Sequence, residues 1–90
     1  MKQYEIKVTG RVQGVWFRAF TKEKAIETGI KGWVKNTSDG HVLVVARGEK
    51  TDLDTFTDYL RTGPPMARVD KLFISEMHIS GDFDNFSIKY

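Results

Sequence analysis

Polar and apolar side chains alternate through Tyr4, Glu5, Ile6, Lys7, Val8 and Thr9, and the alternation stops at Gly10. A period of two with one apolar face predicts a strand half-buried in a sheet. Phe17, Phe20, Lys24, Ala25 and Thr28 then fall near helical spacing until Gly29, a residue suited to the position just past a helix end. They predict a helix over 17–28. Ile30, Gly32, Val34 and Asn36 alternate with Lys31, Trp33 and Lys35, and Thr37-Ser38-Asp39-Gly40 brings the Asp-Gly pair that hairpins favour. The strands over 30–36 and 41–47 are therefore expected side by side and antiparallel. Thr51-Asp52-Leu53-Asp54 reads as a helix N-cap with carboxylates at the positive end of the dipole, and Leu53, Phe56 and Leu60 form the buried stripe that follows. Gly63-Pro64-Pro65 cannot continue that helix, because proline lacks the amide donor and restricts the residue before it. The β-rich run over 69–77 and the alternating Phe86-Ser87-Ile88-Lys89-Tyr90 add two strands, the last one short.

The order βαββαβ with a short final strand describes an α/β (α+β) two-layer sandwich of the ferredoxin-like kind, an antiparallel sheet with two helices on one face. At 90 residues there is room for a single domain, 1–90, since a chain of this size hides roughly 60–65% of the surface its unfolded form exposes. Hydrophobic residues at 40% beside 29% charged ones exclude both a membrane protein and a disordered chain. The longest apolar run, Val42-Leu43-Val44-Val45-Ala46, is strand-sized. Zero cysteines remove disulfides, thiolate metal sites and any cysteine nucleophile. The N-terminus alternates instead of presenting a basic head and an apolar run, so a cytoplasmic protein is expected. Fourteen basic against 12 acidic side chains leave +2, too weak a field to imply nucleic acid by itself.

Candidate chemistry lies where the first strand hands over to the first helix. Free N–H groups and the positive end of the dipole gather at a helix N-terminus, and Gly14 allows the main chain to bend so that these groups converge. Arg18 sits at the rim, with a planar fork that matches two phosphate oxygens. Spacing alone leaves an anion cradle and an ordinary connecting loop both open.

Gly10-Arg11-Val12-Gln13-Gly14-Val15-Trp16-Phe17-Arg18, followed by Ala25, Gly29, Gly32-Trp33-Val34-Lys35-Asn36 and Asp39-Gly40, resembles the signature of the acylphosphatase family. Gly63-Pro64-Pro65, Ala67, Val69, Phe86 and Ile88 fit the same family, so the resemblance spans nearly the whole chain. It implies hydrolysis of carboxyl-phosphate anhydrides with no cofactor and no metal, and the ferredoxin-like fold that the pattern gives independently. By resemblance, Arg18 and Asn36 are catalytic: the arginine holds phosphate and the asparagine places the attacking water. The backbone amides of Gln13, Gly14, Val15, Trp16, Phe17 and Arg18 bind the phosphoryl oxygens. The implied partners are a small acyl phosphate and, as product or inhibitor, inorganic phosphate or another oxyanion, with the protein a monomer. The family also suggests a C-terminal carboxylate near the arginine, which would involve Tyr90. Leu43 departs from the glutamate common there, a change that bears on the surface and not on the phosphate site.

Other constellations carry less. Asp52-Leu53-Asp54-Thr55 opens a helix, unlike a phosphatase aspartate pair that closes a strand. Asp82, Asp84 and Asn85 lack the remaining ligands of a calcium loop, and His41 and His78 are not at ligand spacing. Trp33 lies on the opposite parity from Val34 and Asn36 and reads as packing. Binding of RNA by an RRM-like sheet is the rival of another class, and the strand over 41–47 lacks the aromatic residues it needs. A module that binds phosphate without turnover, or handles carbamoyl phosphate within a larger assembly, is the remaining alternative.

Overall fold

A computed structural model describes residues 1–90. Seven elements follow in order: β1 (Lys2–Arg11), α1 (Phe17–Thr28), β2 (Lys31–Asn36), β3 (Val42–Gly48), α2 (Lys50–Thr62), β4 (Arg68–Met77) and β5 (Phe86–Lys89). The strands form one sheet in the order β4-β1-β3-β2-β5. β1 pairs antiparallel with β3 and β4, and β2 antiparallel with β3 across the Asp-Gly turn, as the alternation predicts. β5 instead lies parallel to β2, placing Gly32 beside Phe86 and Val34 beside Ile88. The sheet is therefore mixed, because an alternating pattern reports which face is buried and says nothing of the partner's direction.

Ile6, Val8, Val34, Val42, Val44 and Ala46 point from the sheet onto Phe17, Ala25, Leu53, Phe56 and Leu60 of the helices, and all are fully or almost fully buried. The core stripe of α1 runs through Phe17, Thr21 and Ala25, with the Thr21 hydroxyl donating to the Phe17 carbonyl at 2.9 Å. Phe20 and Lys24 lie beside that stripe, the Lys24 ammonium 5.6 Å from the Phe20 ring centre. Helix α2 begins one residue earlier than the expected cap at Thr51. Glu49 is the N-cap, and its carbonyl accepts from the Leu53 amide at 2.9 Å, which leaves Thr51 inside the first turn where its side chain cannot cap.

The opposite face of the sheet is partly covered by the segment between β4 and β5. Arg47 donates to Gln3 Oε1 at 2.9 Å and to the Ser80 carbonyl at 2.8 Å, and stacks over Phe83 at 4.7 Å. Gln3 is buried as a result. Trp33 lies half-buried on this face beneath the ammonium groups of Lys89, at 4.5 Å, and Lys35, at 5.4 Å.

Candidate active site

Between β1 and α1, the side chains of Val12, Val15 and Phe17 turn into the core while Gly14 and Trp16 face outward. The apolar anchors hold the main chain of the connection at the surface. Gly14 takes φ 71° and Trp16 φ 70°, ψ 16°, both left-handed, with Val15 between them at negative φ. A left-handed residue after one of opposite hand is one element from which anion-binding nests are built. Trp16 is the N-cap of α1 and offers no side-chain cap. No N–H of Gln13, Gly14, Val15, Trp16, Phe17, Arg18 or Ala19 donates to a backbone carbonyl; the first such bond of α1 runs from Phe20 to the Trp16 carbonyl, at 3.1 Å.

Of these residues Gly14, Trp16, Phe17, Arg18 and Ala19 line a cavity of about 490 Å³, together with Val12, Asn36, Ile88 and Tyr90. The fold thus brings Arg18 and Asn36 to one site from opposite ends of the signature. Arg18, in the first turn of α1, donates to the Lys89 carbonyl at 3.4 Å and lies 4.7 Å from the Tyr90 ring centre. The guanidinium thus meets the Tyr90 ring and the carbonyl before it, at the end of the chain where the family resemblance expects a contact. Asn36 ends β2, and its Oδ1 is buried without a protein partner. Leaving a buried acceptor unpaired costs about 1–3 kcal/mol, and the residue that carries this oxygen also lines the cavity.

Gln13 is turned away from the cavity. Its Nε2 donates to the Thr37 carbonyl at 2.8 Å and to the His41 carbonyl at 2.7 Å, across to the turn that follows Asn36. That turn has its own network. The Thr37 amide donates to the His41 carbonyl at 2.9 Å, the Thr37 hydroxyl to Asp39, and Lys7 to Asp39 at 3.2 Å; His41 Nδ1 lies 3.3 Å from the same carboxylate. The Thr37 hydroxyl most of all, then Lys7 and His41, hold the Asp39 carboxyl down to about 2. Glycine marks a close approach at Gly32, whose Cβ would run into the Val45 carbonyl. The Gln13 bridge is not visible in the sequence, since it joins residues far apart along it, whereas the family resemblance already brings Tyr90 toward Arg18.

The acylphosphatase family model matches residues 4–88. The chain belongs to the acylphosphatase family. An acylphosphatase of Methylococcus capsulatus is 46% identical over 88 residues, covering 98% of this chain and 96% of its own. The crystal structure of acylphosphatase from Bacillus subtilis superposes with a TM-score of 0.96 at 39% identity, covering all of both chains. The fold also matches part of T. kodakarensis HypF, with a TM-score of 0.88 at 36% identity over 100% of this chain and 12% of the longer one. The family thus occurs both as a chain of this length and as one portion of a much larger protein.

Proposed function

We propose that the protein is an acylphosphatase whose 13–18 connection grips the phosphoryl group of an acyl phosphate while Asn36 positions the water that attacks it. The observation that carries this reading is that Asn36, whose Oδ1 has no protein partner, lines one cavity with Arg18 and with Gly14, Trp16 and Phe17 of the connection. Phosphoryl transfer asks mainly for positioning and for charge stabilisation on the equatorial oxygens. Here a guanidinium, a helix N-terminus and loop amides supply positive potential where no acidic side chain occupies the first turn of α1.

The leaving group needs no acid. A carboxylate whose conjugate acid has a pKa of about 4 departs as the anion. Water oxygen bonds to phosphorus as the phosphorus–oxygen bond to the acyl group breaks, and that oxygen leaves with the electron pair. Asn36 Oδ1 accepts one proton of the water in a hydrogen bond and fixes its direction. A carboxamide does not take a full proton near neutral pH, so the proton passes late to a phosphoryl oxygen or to solvent. No step in this scheme calls on a metal. Cytoplasmic location and a monomeric state belong to the same proposal, the location resting on the alternating pattern over 1–7.

Hydrolysis of benzoyl phosphate in EDTA, followed by its ultraviolet absorbance, tests the reading with wild type, Arg18→Ala and Asn36→Ala. Arg18→Ala is expected to weaken phosphate inhibition and to lower kcat/KM by roughly 10³-fold, the scale of a transition-state arginine. Asn36→Ala is expected to lose roughly 10²-fold in kcat, the cost of a displaced reactant, with inhibition by inorganic phosphate retained. A well-folded wild type without turnover would favour the non-catalytic phosphate-binding module, and equal loss of phosphate affinity in both variants would contradict the division of roles.

A further inference from the structure

The side chain of Gln13 has no place in the reaction just described, yet it makes the shortest side-chain hydrogen bonds between the two parts of the site. Its two bonds, 2.8 Å to the Thr37 carbonyl and 2.7 Å to the His41 carbonyl, span from the phosphate-facing connection to the turn that begins directly after Asn36. We infer that the Gln13 carboxamide is a positioning residue, a clamp that sets where Asn36 stands relative to the 13–18 amides. The inference rests on the reading of Asn36 as the residue that directs water.

The chemistry of the bridge is restrictive. A neutral carboxamide nitrogen carries two N–H donors, and both acceptors here are backbone carbonyls. The His41 carbonyl already closes the turn by accepting from the Thr37 amide at 2.9 Å, so Gln13 holds the turn at its closing pair. Thr37 and Asp39 tie the turn to itself and Lys7 ties it to β1, but only Gln13 among these joins it to the connection that faces the cavity. Asn36 is meanwhile held in the sheet by its register with Val42. Without the bridge, connection and turn remain folded, and their mutual spacing loses its direct tie. A misplacement of about 1 Å is enough to cost on the order of 10² in rate.

Gln13→Met keeps the length and removes both donors; Gln13→Glu keeps the shape and sets carboxylate oxygens against two carbonyls. For both, kcat on benzoyl phosphate is expected to fall roughly tenfold to hundredfold while inhibition by inorganic phosphate changes less than about threefold. In the Asn36→Ala background, adding Gln13→Met is expected to slow turnover by no more than about twofold, because the clamp acts through a side chain already gone. Full multiplication of the two losses in the double variant, or a Gln13 variant that loses phosphate affinity and keeps kcat, would overturn the inference. Wild-type activity in Gln13→Glu would also overturn it, since packing and not donation would then be sufficient. Circular dichroism identifies a variant that fails to fold, in which case the other decides. If wild type shows no turnover, the reading of Asn36 fails separately. The clamp is then judged by the Asn36 side-chain amide resonance in phosphate-saturated protein, which Gln13→Met is expected to shift and which, left unmoved, would refute it.

Discussion

Helix α1 is reached from β1 through residues 12–16 and caps on Trp16 at φ 70°, whereas α2 is reached from β3 through Glu49 alone, at φ −70° and ψ 150°. The two helix starts occupy equivalent places in the fold. At the start of α2, which like α1 has no side-chain cap, Asp52 stands in the first turn, where its charge complements the dipole. At the start of α1, the matching position holds Ala19, the turn carries the cation Arg18, and a tryptophan occupies the left-handed region at a cost of roughly 1 kcal/mol. Neither choice favours α1 on its own. Both make sense if an anion from outside completes the helix, so the same architectural joint serves stability in one half and chemistry in the other.

Exchanging the features of the two helix starts gives the sharpest break. Ala19→Asp places in α1 the carboxylate that α2 has, on a residue lining the cavity. Inhibition by inorganic phosphate is expected to weaken roughly tenfold or more, from at least about 1.4 kcal/mol of like-charge repulsion, while thermal stability holds or rises. The reciprocal change, Asp52→Ala, is expected to cost a few tenths of a kcal/mol in urea unfolding and to leave kcat and KM as they were. A loss of phosphate affinity there would mean that the two helix starts are not separate in function.

The smallest effect concerns the turn beside Asn36. The Thr37 hydroxyl, with Lys7 and His41, lowers the folded-state Asp39 pKa to about 2, below its unfolded value. Its contribution to stability is thus complete above about pH 4 and is lost as the pH falls from there toward 2. Unfolding of wild type and Asp39→Asn across this range should show a gap that is constant above about pH 4 and closes below it. A gap unchanged down to pH 2 would show that Asp39 is not held by these partners.

Much of this molecule can be read without its structure. Alternation places β1, β2 and β3, the Asp-Gly pair places the hairpin, and α1 runs over the same 17–28 that its spacing predicts. Arg18 and Asn36, named from the family signature, do meet at one cavity. Three features escape a sequence reading for physical reasons. The parallel pairing of β5 leaves no trace in a two-residue period. The left-handed Trp16 is silent, because only glycine announces a positive φ in sequence. The start of α2 at Lys50 follows from a backbone bond to Glu49, which competes with the cap that Thr51 suggests. Gln13 shows the limit most clearly: the signature points to its backbone amide, while its side chain bonds a turn 24 and 28 residues away.

The claim that the β1–α1 connection is an anion site completed by phosphate is tested most directly by titrating inorganic phosphate into isotopically labelled protein and following every amide. Saturable shifts are expected, largest at Gly14, Val15, Trp16, Phe17, Arg18 and the Asn36 side chain, with Thr51, Asp52 and Leu53 unmoved. Shifts centred on α2, or no saturable shift near Arg18 at any phosphate concentration, would contradict it.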